Sequence, residues 1–467
     1  MTTRNVMQAS RTKANMGTGY RALSATALAL MLTLSACAHY QAAPMDLKTA
    51  GGPSVHAGDL PADADAQTLL QLALQRDPAV AAARATLAAA EANRKAARNL
   101  PPLSLMLTVE YSKDADPQKP WLYGGAVGIP LDTGARRAAR VTGADLTVIR
   151  ARYALAEAVW GVRQRLYQAL NDLSLSAQEI ALNQTLLDQR IAYQALIQKR
   201  VRHGEEAQGV AAQAALDVSG ARQALAEAKA RHIAAVAAVA HALDADVAAV
   251  EAMTIRPAAE LDVLDEAQLR AMIDKAVYHR ADVLLAVVDY DVAENDLRTA
   301  IAAQYPDISL QPGYNWERGQ VKIPFSLSLT LPPLDGNRAA IDAAQSTRLA
   351  AGKTLESVVK ATRSNAAQAA TTYSADLGTA RSIATTDLPV SRDMAARAQR
   401  MKLAGEGDQA DALLAELNAT QTQIHLLQAQ RTAHNDRLAL EDALHQTFDT
   451  TDTRILSDAV KTDEVTQ

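Results

Sequence analysis

The chain has 467 residues, a formal net charge of −5 and one cysteine. That charge, with no basic block, argues against nucleic acid as a partner. A lone cysteine allows no internal disulfide. An Ala-rich composition with only two Phe favours long helices over a bulky globular core.

The N-terminus runs basic, then apolar, then small. Arg4, Arg11, Lys13 and Arg21 precede an apolar stretch from Ala22 to Leu34. That order is a secretory signal over residues 1–36, and about 13 apolar residues are too few to span a bilayer as a helix. Met7 and Met16 are alternative starts. Leu34-Ser35-Ala36-Cys37 resembles the lipobox of bacterial lipoproteins. The resemblance implies that Cys37 becomes an acylated N-terminus, each buried CH₂ contributing about 0.8 kcal/mol to anchoring. Ala38 follows in place of the Asp that signals inner-membrane retention, so the expected location is the outer membrane of a Gram-negative cell. Residues 37–65 form the lipidated Pro/Gly/Ala/Asp linker. Beyond the signal no run of 18 apolar residues occurs, so any membrane crossing is by strands.

Behind the linker the chain is written twice, residues 66–260 and 261–450, at a spacing of 203–204, with 451–467 as a tail. Pro102 falls with Pro306, and Pro130-Leu131-Asp132 with Pro333-Leu334-Asp335. Each half reads helix, strand, strand, very long helix, turn, helix. A repeat of this length is a duplicated domain rather than a solenoid unit.

Four segments alternate with period two: 103–112, 121–130, 308–317 and 321–331. In the first, Leu103, Leu105, Leu107, Val109 and Tyr111 alternate with Ser104, Met106, Thr108, Glu110 and Ser112. Near ten residues each, they fit tilted membrane strands with an apolar face to lipid and a polar face to a lumen. Tyr111, Trp121, Tyr123, Tyr305, Tyr314 and Trp316 lie in or beside them and suit an interfacial aromatic girdle. Four strands cannot close a barrel, and an open edge in lipid costs several kcal/mol per unsatisfied backbone group. The sequence therefore implies an oligomer.

Residues 134–202 contain no proline, and Leu166, Leu170, Leu173, Ile180, Leu187 and Ile191 keep helical spacings. A return helix over 208–243 follows His203-Gly204-Glu205-Glu206. Residues 338–403, a turn at 404–407 and residues 408–444 repeat the hairpin, with Pro389 expected to kink the longer arm. Helices of this length read as coiled coils.

A duplicated strand pair on coiled-coil hairpins behind a lipobox resembles the TolC family of outer-membrane efflux factors. Its carriers are the repeat, "RADVLLAVVDYDVAENDLRTAIAAQYPDISLQPGYNWERGQ" (280–320) and the two Gly-containing tips. The 280–320 stretch is most similar to the branch serving resistance-nodulation-division pumps, heavy-metal exporters included. The resemblance implies a mainly α fold with a membrane β-barrel. Three chains would share a 12-stranded barrel above a helical barrel crossing the periplasm. It implies a passive duct for small toxic solutes, joined by a periplasmic adaptor (membrane fusion) protein to an inner-membrane pump.

The same resemblance places adaptor contacts at Arg202, His203, Gly204, Glu205, Leu403, Gly405 and Glu406. It places a periplasmic aperture at Asp411, with Leu414 where a second aspartate is expected and Asp408 able to share the role. Local reasons compete: the glycines suit a helix reversal, Asp408 an N-cap and Asp411 a first-turn charge. No His-Glu-x-x-His occurs, and Ala351-Gly352-Lys353-Thr354 lacks the first Gly of a phosphate loop, Thr347 standing there. The nine His are scattered. No enzyme, metal site or cofactor beyond the lipid on Cys37 is expected. The alternatives are a type I secretion duct for protein and a lipid-anchored coiled-coil scaffold without a pore. Drugs and metal ions both fit such a duct.

Overall fold

A computed structural model of the chain describes residues 40–46, 63–113, 116–132, 134–255, 261 and 265–461. The signal region and Cys37 lie outside the described residues. Residues 40–46, part of an N-terminal unit Met1–Ser54, are exposed and carry no helix or strand. Everything that follows belongs to the second unit, Val55–Gln467.

The first half runs β1 (Asp63–Ala64), α1 (Ala66–Arg76), α2 (Pro78–Ala97), β2 (Ser104–Tyr111), β3 (Trp121–Leu131), α3 (Gly134–Arg202), α4 (Gln208–Leu243), α5 (Val247–Glu251) and β4 (Thr254–Ile255). The second runs α6 (Glu266–His279), α7 (Ala281–Ala302), β5 (Asp307–Glu317), β6 (Gln320–Lys322), β7 (Phe325–Thr330), α8 (Arg338–Ser382), α9 (Leu388–Leu403) and α10 (Gln409–Leu444). A last helix, α11, spans Thr450–Val460.

Local chemistry sets the helix ends. Asp65 caps α1 through Thr68 N–H. Asp77 caps α2 through the N–H groups of Ala79 and Val80, with Pro78 in the first turn, where its missing N–H costs nothing. With 69 residues, α3 is about 100 Å long. Pro389 acts as a local winding change: one π-helical turn, Ile383–Asp387, joins α8 to α9. A proline inside a helix removes one donor and crowds the carbonyl four residues back, and a wider turn there relieves both.

β1 and β4 form a small parallel pair, and the larger sheet is antiparallel in the order β2-β3-β5, with β6 and β7 both on the far side of β5. The expected single strand over 321–331 is therefore two pieces. Pro324 has no N–H to give a ladder, and its carbonyl instead accepts from Gly313 N–H at 2.8 Å. Register places Tyr111 opposite Trp121, Tyr123 opposite Trp316, Leu310 opposite Leu327 and Ile308 opposite Leu329. One face is thus apolar across the whole sheet, and it is exposed, Leu107 at 73% and Phe325 at 69%. On the other face a Cβ on Gly124 would sit 2.1 Å from Asn315 Oδ1, so only glycine lets Asn315 lie across β3.

The main core joins α1, α2, α3, α4 and α11 through Leu69, Leu87, Leu155, Leu166, Val239 and Ile455. A second core joins α6, α8 and α10 through Leu269, Tyr373 and Leu440. The stretch read as a tail from 451 is helical to Val460. Asp449 caps it through Thr451 N–H, and Ile455 is buried. Its Asp452, 0% exposed, accepts from Arg163 Nε at 2.9 Å and from Tyr167 OH at 2.7 Å, while Arg163 also meets Glu441 at 2.7 Å. Burial alone would lower the Arg163 pKa, but the two carboxylates outweigh it and hold the guanidinium charged. Removing Asp452 would leave Arg163 Nε and Tyr167 OH without their buried acceptor.

Candidate functional site

The two hairpin tips are built alike. Gly204 and Gly405 have φ of +77° and +74°, and a Cβ on either would meet open space. In the first, Glu205 N–H reaches back to Arg200 O at 2.9 Å and Gly204 N–H to Val201 O at 3.0 Å. In the second, Glu406 N–H reaches Met401 O at 3.0 Å and Gly405 N–H reaches Lys402 O at 3.1 Å. Both are Schellman closures, in which left-handed backbone lets a helix satisfy its last carbonyls.

The tips differ three residues further on. Ala207 starts α4 without a side-chain cap, whereas Asp408 caps α10 by accepting from Ala410 N–H at 3.0 Å. Asp408 also accepts from Arg200 Nη2, which ties the end of α3 to the start of α10. The Arg200 hydrogen bond, then that of Ala410, holds the Asp408 carboxyl below its usual range. Asp411 is exposed in the first turn of α10. Leu414, where the resemblance leads one to expect a second aspartate, packs with Leu186, Leu417 and Ile424 between α3 and α10. Arg202, His203, Glu205 and Glu406 are exposed, and Leu403 is 78% exposed. On α9, Val390, Met394 and Met401 add an exposed apolar stripe.

Further from the tips, Glu179 of α3 is 2% exposed and bonds Arg231 of α4 and Arg431 of α10, each at 2.7 Å. Burial would raise its pKa, but the bonds from Arg431 and Arg231 outweigh that and lower it. This clasp borders a crevice of about 370 Å³ that Asn183, Gln421 and Gln428 also line. Sequence reasoning missed both Arg200 and the clasp, because partners 208 and 252 residues apart leave no periodic signal.

Four of the six aromatics expected in a girdle form one ladder across β2, β3 and β5. Ring centroids are 5.0 Å apart for Tyr111–Trp121, 6.1 Å for Trp121–Tyr123 and 6.0 Å for Tyr123–Trp316. Tyr314 is exposed on the same face of β5. Tyr305 precedes β5, at the opposite end of the strands from the ladder. Among the described residues no helix is long and apolar enough to cross a membrane, which leaves strand crossing open.

A strand pair and a long hairpin, each present twice and joined by one sheet, define the architecture of an outer-membrane efflux channel subunit. A sequence model of the outer membrane efflux protein family matches residues 69–245 and 272–445, and the chain belongs to that family of TolC-like channels. Its members are channels rather than enzymes. No curated protein matches the chain significantly in sequence. The fold is similar to the outer membrane protein VceC of Vibrio cholerae, at 19% identity and TM-score 0.65, covering 82% of this chain and 97% of that one. The open state of the MtrE outer membrane channel of Neisseria gonorrhoeae is similar at 18% identity and TM-score 0.64, covering 82% and 89%. A membrane protein of Pseudomonas aeruginosa is similar at 19% identity and TM-score 0.66, covering 87% and 96%.

Proposed function

We propose that three copies of this chain form a passive duct that carries small toxic solutes, drugs or metal ions, across the periplasm and outer membrane. The observation that carries this reading is the open sheet with a continuous exposed apolar face. Among the described residues β2 pairs only with β3, and the β6–β7 side pairs only with β5, so both edges present unused backbone groups. In lipid such edges must be paired. Four strand positions from each of three chains give twelve, and closure removes every edge. The polar face then lines the lumen. The exposed stripe of α9 and Leu216 and Ile233 of α4 become helix contacts between neighbouring chains.

Energy and selection come from an inner-membrane pump of the resistance-nodulation-division type, reached through a periplasmic adaptor that meets the hairpin tips. Asp408 and Asp411, repeated by threefold symmetry, put carboxylates around a narrow aperture that favours cations. Arg200 restrains that aperture by tying the two tips of each chain together. Acyl chains on Cys37 anchor the chain to the outer membrane and leave it no free thiol.

Single cysteines along β2 test the strand assignment. A water-soluble thiol reagent labels Met106→Cys and Thr108→Cys from the lumen and leaves Leu105→Cys and Leu107→Cys unlabelled in membranes. Equal labelling at all four positions would contradict the reading.

A further inference from the structure

The four strand–helix junctions form one laced layer. Arginines from the first turns of α3 bind the carbonyls that end α2 and α7. Arg140 donates to Ala97 O at 3.0 Å and Asn99 O at 3.4 Å, and Arg137 to Arg98 O at 3.5 Å. Arg136 donates to Tyr305 O at 2.6 Å and Ala302 O at 3.4 Å. Asn337, just before α8, donates to Ala300 O at 2.8 Å. These bonds satisfy carbonyls that helix ends leave open and bring the roots of all four strand positions to one level.

The carboxylates of this layer have internal partners. Asp132 meets Arg140 at 2.6 Å, Asp145 meets Arg98 at 3.4 Å, and Asp307 meets Arg136. Asp335 accepts from the N–H groups of Asn337 at 3.0 Å and Ala339 at 3.4 Å. Three exposed cations remain, together with the exposed carboxylate of Asp342. Lys95, Arg137 and Arg338 are exposed, and among the described residues none has a carboxylate within ion-pair distance. Asp342, one turn along α8 from Arg338, makes no ion pair with it.

Beside these cations the apolar face of the sheet runs out into the loops. Leu100 is 76% exposed, Leu103 65% and Leu331 74%, and Leu334 is fully exposed. Cations with no ion pair among the described residues, in the same junctions as exposed leucines, have the chemistry of a membrane interface. The leucines suit the edge of the acyl region, and the cations suit the phosphates above it.

We propose that this layer seats the protein on anionic phospholipid headgroups of the periplasmic leaflet, with Lys95, Arg137 and Arg338 contacting headgroup phosphates. The proposal rests on the duct reading, because it needs the strands in the membrane. The periplasmic ends of the strands then choose their lipid neighbours, and the depth of insertion is fixed by charge as well as by apolar length.

The test is reconstitution of the full chain in nanodiscs of phosphatidylethanolamine and phosphatidylglycerol. Electron paramagnetic resonance compares the association of spin-labelled forms of the two lipids. A cation near the surface contributes about a five-fold preference for an anionic headgroup. The wild type prefers phosphatidylglycerol several-fold, and the triple variant Lys95→Gln, Arg137→Gln, Arg338→Gln loses the preference. A charge-matched control on the helices, Lys229→Gln, Lys360→Gln, Arg363→Gln, keeps it. A wild type without preference, or a junction variant that retains it, overturns the proposal. Loss of the preference on adding millimolar inorganic phosphate would identify a free-phosphate site and also overturn it. Failure of the wild type to insert overturns the duct reading, whereas insertion without lipid preference overturns this inference alone.

Discussion

Changing Glu179 to Gln tests whether the two hairpins are fastened to each other away from their tips. The carboxylate is 2% exposed and takes donors from Arg231 at 2.7 and 3.4 Å and from Arg431 at 2.7 Å. Glutamine keeps the shape, removes the charge and points an N–H group at a guanidinium. Each hydrogen bond to a charged group is worth about 1.5–3 kcal/mol. The sum is discounted because Arg231 is 47% exposed and can turn to the water of the crevice. A net loss of about 2–3 kcal/mol remains, which corresponds to a roughly 30- to 150-fold increase in local opening. Hydrogen exchange read by mass spectrometry over peptides from α3, α4 and α10 around residues 179, 231 and 431 measures this directly. The wild-type contribution is present above the usual glutamate range and is lost as pH falls through the lowered folded value, so the variant lacks that acid-dependent step. Protection within about two-fold of wild type, at neutral and acid pH alike, would refute the clasp.

At the tips, Arg200→Ala and Asp408→Asn both raise the open probability of the channel in planar bilayers. The double variant adds little beyond either single change, since both remove one bond; additive effects would show that the two residues act separately. Asp408→Ala goes further than Asp408→Asn, because alanine also removes the helix cap, a loss of about 1 kcal/mol. Asp411→Ala widens the conductance and lowers cation selectivity, and an unchanged current–voltage curve would discard Asp411 as an aperture residue. Gly405→Ala strains backbone at φ +74° without any contact clash and costs about 1–2 kcal/mol, read as loss of exchange protection confined to residues near the tip. His445 stacks on Trp160 with centroids 4.3 Å apart, and burial, then Arg280, lowers its pKa to about 4. It stays neutral when folded and binds a proton when unfolded below about 6.5, so stability is lost as pH falls from 6.5 toward 4, by up to about 3 kcal/mol. A His445→Asn variant shows a flatter exchange profile around residues 440–448 across that range; an unchanged slope would contradict the assignment.

Much of the fold is legible because its signals are local. The absence of proline over 134–202 leaves one helix, and the alternation from Leu103 to Ser112 leaves one strand, with boundaries shifted by a residue at each end. The break at Pro324 follows from a missing donor and is readable in retrospect. The helix at 450–460 hides because its apolar stripe is short, and it is held by Ile455 in the main core and by Asp452 reaching Arg163, 289 residues away. At the tips, glycine announces the reversal, and Asp408 announces a cap. Nothing near Asp408 announces Arg200, because the two meet only when both hairpins are folded side by side.

The most direct measurement of the central claim is the mass and conductance of the protein extracted from outer membranes in mild detergent. The account predicts a trimer that gives discrete conductance steps in a planar bilayer. A monomer or dimer that gives no conductance would contradict it and leave a lipid-anchored helical scaffold in its place.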